Sequence, residues 1–138
     1  MAQLNASMEQ FRGLERGLLR LAVVSTANYF LPALIAEFNA RHPGVRISLQ
    51  VGNRAFVLSA LAESRTDLAI TGQPPDGADL EAQNFKANPL VVIAPPGHPL
   101  AREAHVSMAR LAEEVLVMRE PGSGTRAAAE RHFAAQGL

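Results

Sequence analysis

The apolar positions of this chain change period several times, and the changes mark out its elements. Residues 18–24, Leu18-Leu19-Arg20-Leu21-Ala22-Val23-Val24, form a short apolar run that stops at Ser25-Thr26, the pattern of a strand buried on both faces. Phe30, Leu31, Leu34, Ile35 and Phe38 then recur at helical spacing, with Pro32 tolerated in the first turn. His42-Pro43-Gly44 ends that helix. Residues 45–51 alternate apolar and polar, a second strand, and Gly52-Asn53 turns into a helix over 54–63 that carries Phe56, Val57, Ala60 and Leu61. A third short strand over 67–71, Asp67-Leu68-Ala69-Ile70-Thr71, precedes the loop Gly72-Gln73-Pro74-Pro75-Asp76-Gly77. Strand, helix, strand, helix, strand in this order predicts a parallel sheet with right-handed crossovers.

The remainder is less regular. Residues 80–86 and 89–94 read as two extended segments, the second containing Leu90-Val91-Val92-Ile93. Pro95-Pro96-Gly97-His98-Pro99 breaks the pattern, and a domain crossing is expected there. Beyond it, Ser107 is placed to cap a helix reaching Glu114, 115–118 reads as a strand, and Ser123 is placed to cap a last helix over 124–136. At the other end, Leu4, Met8, Phe11 and Leu14 give residues 1–17 the face of a short helix, weakened by Gly13 and Gly17. Three parts follow: 1–17, the last turns of a helix or a flexible leader; 18–94, a complete α/β unit; and 95–138, a unit that stops after one strand and roughly two helices. The chain is expected to be part of a two-domain protein, its second domain truncated.

Composition narrows the function. At 138 residues and 48% hydrophobic content the chain is long enough to bury one full core. Thirteen basic residues balance thirteen acidic ones, so no overall field draws the chain to nucleic acid or an anionic membrane. Cysteine is absent, which excludes disulfides, thiolate nucleophiles and zinc–thiolate sites and fits a cytoplasmic protein. No apolar run approaches membrane-spanning length, and the start lacks the pattern of an export signal. Lys86 is the one lysine; the other basic residues are arginines, suited to bidentate capture of carboxylate or phosphate.

In parallel α/β sheets, ligands bind beyond the carboxyl ends of the strands. Those ends carry Ser25 and Thr26, Asn53, Thr71, and the stretch Glu120-Pro121-Gly122-Ser123-Gly124-Thr125-Arg126. Each supplies a hydroxyl, amide or glycine able to meet a polar ligand without filling a cavity. Singly, Ser25, Thr26 and Asn53 are explained as helix caps and Thr71 as a loop residue; together at one sheet edge they form a candidate site. Gly122, Ser123, Thr125 and Arg126 combine free backbone N–H groups, two hydroxyls and a guanidinium, the makings of an anion cradle or of a plain serine cap. A phosphate-binding P-loop is excluded by spacing. His42, His98, His105 and His132 are scattered without metal-ligand spacing, and no nucleophile elbow or acid/base pair occurs, so neither a metal nor a catalytic group is expected.

Several of these segments also follow a known family in order and spacing. Leu19-Arg20-Leu21-Ala22-Val23-Val24-Ser25-Thr26, Phe30-Leu31-Pro32 with Phe38, His42-Pro43-Gly44-Val45, Asp67-Leu68-Ala69-Ile70 and His98-Pro99-Leu100-Ala101 resemble the effector domain of LysR-type transcription regulators, from about Gly17 onward. Gln50-Val51-Gly52-Asn53-Arg54, the run from Asn88 to Pro96 and the run from Arg119 to Arg126 are most similar to the subfamily that regulates the RuBisCO operon of the Calvin cycle.

The resemblance implies an α/β fold of the type 2 periplasmic-binding-protein kind, with 18–94 as effector-binding subdomain I and 95–138 as part of subdomain II. It implies an effector contacted by Ser25, Thr26, Asn53 and Thr71 and, from the second subdomain, by Gly122, Ser123, Thr125 and Arg126. The implied effector is anionic: a phosphorylated metabolite or nucleotide such as ribulose bisphosphate, phosphoglycerate or NADPH. No cofactor is implied. DNA is expected to be met only through a winged helix-turn-helix that this chain lacks. Exposed apolar surface on a truncated second half predicts a homodimer or higher homo-oligomer, or else partial disorder after about Pro95. The competing readings are a solute-binding protein of the same fold, which needs an export signal, and an α/β enzyme, which needs Asp67 or a histidine facing Ser25.

Overall fold

The computed structural model describes residues 16–74 and 80–138. They fall into two compact units that divide between Ala87 and Asn88. The expected leader helix lies almost wholly outside the described residues.

The first unit is built on β1 (Gly17–Val24), β2 (Val45–Gly52) and β3 (Leu68–Ile70). They form one parallel sheet in the order β2-β1-β3, as the alternation of elements predicts. The apolar run that sequence reads as buried on both faces is the central strand. Leu19, Leu21 and Val23 pack on one face with Ile70, Ala27 and Leu31, backed by Phe30, Ile35, Phe38 and Phe85. Ala22 packs on the other with Val57 and Ala60, backed by Val24 and Ala69. Alanines at positions 22, 60 and 69 let the helix over Arg54–Ala62 lie close to the sheet. Each fully buried leucine or valine here stabilises the fold by roughly 1.5–3 kcal/mol.

The helices that cover the two faces are α1 (Leu31–Arg41) and α2 (Arg54–Ala62). α1 holds Pro32 in its first turn and stops at His42, whose backbone N–H donates to the Phe38 carbonyl at 2.8 Å. Ser25 and Thr26 do not simply precede that helix: Ser25–Tyr29 is a separate 3-10 helix, and the chain leaves β1 through it. α2 is capped as its sequence predicts, with Asn53 Oδ1 accepting from the Phe56 N–H at 3.0 Å.

The second unit has a 3-10 helix over Pro99–Arg102, then α3 (Met108–Ala112) and α4 (Gly124–Ala134). Ser107 and Ser123 cap α3 and α4, accepting from the N–H groups of Arg110 and Arg126. The sequence pattern gives no signal for the 3-10 helix; His98 caps it, Nδ1 accepting from the Leu100 N–H at 3.2 Å. The strand expected over 115–118 is not formed. Val115 and Val117 are 98% and 100% exposed, and no ladder joins them to another described segment. The segments 80–86 and 89–94 likewise join no strand ladder with another described segment, and Val91 and Ile93 are 78% and 88% exposed. A strand exists only through its partner's hydrogen bonds, so β-forming composition alone does not create one.

Candidate functional site

Strand register assembles the first group of predicted residues. Val24 lies beside Gly52 and Val23 beside Ile70, so Ser25, Asn53 and Thr71 emerge from the carboxyl ends of three adjacent strands. Neighbouring strands are about 4.8 Å apart, which puts all three within the width of a small ligand. Ser25 and Thr26 are half-buried in the 3-10 helix. Asn53 is also half-buried, and its Oδ1 is engaged as the cap of α2, which leaves its amide N–H groups for other partners.

Thr71 is different. Its hydroxyl oxygen is buried and has no hydrogen-bond partner in the structure. A buried hydroxyl left unpaired costs about 1–3 kcal/mol, a cost a binding group recovers when its ligand arrives.

Arg54 completes this edge; sequence reasoning names it as the first residue of a helix and as the end of the Gln50–Arg54 run, and not as a site residue. Its Nε and Nη2 donate to the Gln73 carbonyl at 3.4 and 3.1 Å, tying the start of α2 to the loop after β3. The available signal was its place next to Asn53, in a chain whose cations are nearly all arginine.

In the second unit, Gly122 has φ +85°, a conformation glycine adopts without strain, and Ser123 behind it is buried. Ser123 Oγ accepts from the Arg126 N–H at 3.5 Å, the plain cap. Thr125 is half-buried in the first turn of α4. The Arg126 guanidinium is committed locally, with Nε donating to Glu130 Oε1 at 2.7 Å and Nη1 to the Arg119 carbonyl at 3.3 Å. Arg119 in turn pairs with Glu120, which raises its already high pKa through that hydrogen bond and the adjacent charge. This cradle therefore presents backbone N–H groups and hydroxyls more readily than a free cation.

The groups an enzyme would need are elsewhere. Asp67 sits beside Arg20, five positions before Ser25 along β1 and hence roughly 16 Å from it. His42 packs against Phe38 with ring centroids 4.6 Å apart, and His98 is a cap. Among the described residues no three histidine, aspartate or glutamate side chains gather as a metal site. A depression lined by Ile35, Asn39, Arg46 and Ile47 lies between α1 and β2, away from the carboxyl edge.

Residues 12–138 match the LysR substrate binding domain family. The chain belongs to that family. It is 50% identical over 137 residues, 99% of its length, to the RuBisCO operon transcriptional regulator of Allochromatium vinosum, covering 45% of that protein. It is 47% identical over 131 residues, 95% of its length, to the HTH-type transcriptional activator CmpR of Synechocystis, covering 43%. The chain thus spans less than half the length of these curated relatives. Among solved structures, the Synechocystis CcmR regulatory domain in complex with 2-PG is 42% identical, with a TM-score of 0.83 over 89% of this chain and 59% of that one. The α/β, type 2 periplasmic-binding-protein-like class expected from sequence is the class of this LysR domain. No helix among its described residues is long and apolar enough to cross a membrane.

Proposed function

We propose that this LysR domain senses a small anionic effector, a phosphorylated metabolite or nucleotide, on behalf of a regulator of carbon-fixation genes. The residues proposed to meet the effector are Ser25, Thr26, Asn53 and Thr71 in the first unit and Gly122, Ser123, Thr125 and Arg126 in the second. The observation that carries the reading is the convergence of hydroxyl and amide groups at one sheet edge, with an unpartnered Thr71 hydroxyl, in a chain so similar to a regulatory domain solved with 2-PG.

On this reading the chain is a binding module and not an enzyme, since Asp67 is engaged with Arg20 far from the carboxyl edge. It works in the cytoplasm without a membrane, as a homodimer or higher homo-oligomer. DNA contact belongs to a winged helix-turn-helix outside these residues.

Thermal unfolding against 2-PG, ribulose bisphosphate, phosphoglycerate and NADPH tests it. A ligand present at 100 times its Kd stabilises the folded chain by about 2.7 kcal/mol. A selective rise in midpoint for one phosphorylated compound is the expected result. A folded chain whose midpoint moves with none of them contradicts the proposal.

A further inference from the structure

We infer that Arg54 is the charge-recognition residue of the first unit's site, presenting one edge of its guanidinium to a phosphate or carboxylate of the effector. The inference rests on the effector-binding reading above and names the group that makes the site select anions.

Three observations lead to it. First, ion pairs occupy Arg20, Arg41, Arg65, Arg110, Arg119 and Arg126, each with an aspartate or glutamate. Arg54 has none among the described residues, a state it shares with Arg16, Arg46, Arg102 and Arg131; unlike them it stands at the carboxyl edge of the sheet, where its partner is the neutral Gln73 carbonyl. Second, that contact uses Nε and one N–H of Nη2, which lie on the same edge of the guanidinium plane. The adjoining Nη1/Nη2 edge keeps two parallel donors, the geometry that grips two oxygens of a carboxylate or phosphate. The Gln73 carbonyl thus acts as a brace: it fixes the plane and leaves the recognising edge open. Third, the braced arginine stands next to Asn53 and is tied to the loop two residues beyond the unpartnered Thr71 hydroxyl. Cation, amide and hydroxyl donors therefore gather at the ends of β2 and β3, whereas Arg126, the more obvious cation in the sequence, is neutralised by Glu130.

The inference is tested by titrating the 138-residue chain and its Arg54→Gln and Arg54→Lys variants with 2-PG and with inorganic phosphate in a calorimeter, at two ionic strengths. Loss of a charge-assisted bidentate contact predicts that Arg54→Gln weakens 2-PG binding on the order of tenfold to hundredfold. Arg54→Lys should recover part of that affinity at low salt only, because a lysine retains the charge without the fork. The salt dependence of binding should be shallower in Arg54→Gln than in the parent chain, a change that a merely structural role would not produce. Parent-like affinity in Arg54→Gln, or equal losses in both variants with an unchanged salt dependence, overturns the role of Arg54 and leaves the effector reading standing. No binding of either probe by the folded parent chain overturns both.

Discussion

Asp67 holds Arg20 by its backbone and its side chain at once. Oδ2 accepts from the Arg20 backbone N–H at 2.8 Å and from Nε at 3.2 Å, Oδ1 accepts from Nη2 at 2.6 Å, and the Asp67 N–H returns a bond to the Arg20 carbonyl at 2.9 Å. Thr66 beside it lies 2.9 Å from the same carbonyl. The pair locks the register of β1 against β3 at the end of the sheet opposite the candidate site. Structural polar groups thus occupy one end of the sheet and the available ones the other.

That contact makes stability depend on acid. The side-chain and backbone hydrogen bonds from Arg20 hold the Asp67 carboxyl below the usual carboxylate range. A carboxylate with a depressed folded-state pKa stabilises the fold at pH values above its unfolded pKa, about 3.9, and that contribution disappears as pH falls through the lower folded value. Urea unfolding followed from neutral pH to about pH 2.5 should therefore show a loss of stability beginning near pH 4. Asp67→Asn should cost on the order of 1 kcal/mol at pH 7 and make the acid limb shallower. An unchanged acid limb in the variant would assign the effect to other carboxylates.

Gly52 is required by its neighbour and not by its backbone angles. A Cβ built there would lie 2.3 Å from Phe56 Cδ1 and 2.9 Å from Phe56 Cβ, closer than such atoms approach. Gly52→Ala is expected to destabilise the first unit by about 1–3 kcal/mol, since α2 must shift to relieve the overlap. Truncating the ring in the Gly52→Ala, Phe56→Ala double variant should recover part of that loss, because the ring supplies the two shortest of these contacts. Denaturation midpoints of the two singles and the double form the cycle that checks this.

Much of this first unit is legible in the sequence because its signals are local and mutually consistent. The run from Leu18 to Val24 has the composition of a strand covered on both faces, and it is one. Asn53, Ser107 and Ser123 stand where caps were expected, and each accepts the expected backbone N–H. The second unit reads less well. Val115 and Val117 have strand composition, yet only a hydrogen-bonded partner turns such a segment into a strand. The site shows the same limit. Ser25, Asn53 and Thr71 can be named as candidates from sequence because register alone brings strand ends together, whereas the contrast between Arg54 and Arg126 depends on which side chain finds a carboxylate.

Capping and binding at Asn53 are separable by chemistry. Asn53→Ala removes the acceptor for the Phe56 N–H and should cost about 1 kcal/mol, while Asn53→Asp keeps a good cap and should leave stability nearly unchanged. Aspartate, however, replaces an amide donor with a negative charge at an edge proposed to take an anion. Asn53→Asp should therefore weaken binding of 2-PG more than Asn53→Ala does, the reverse of the stability order. Melting curves and calorimetric titrations on the same preparations would show whether the two orders cross.

Thr71→Val gives the reverse contrast to a capping variant. The change is nearly isosteric and removes a buried hydroxyl that has no partner, so the free chain should be as stable as the parent or more stable by up to about 1 kcal/mol. If the hydroxyl serves the effector, the same variant loses affinity severalfold while gaining stability. Thermal midpoints measured without ligand and at saturating 2-PG separate the two effects: the difference between them should shrink in the variant although its ligand-free midpoint does not fall. A lower ligand-free midpoint would instead mean that the Thr71 hydroxyl supports the fold, and would remove it from the site.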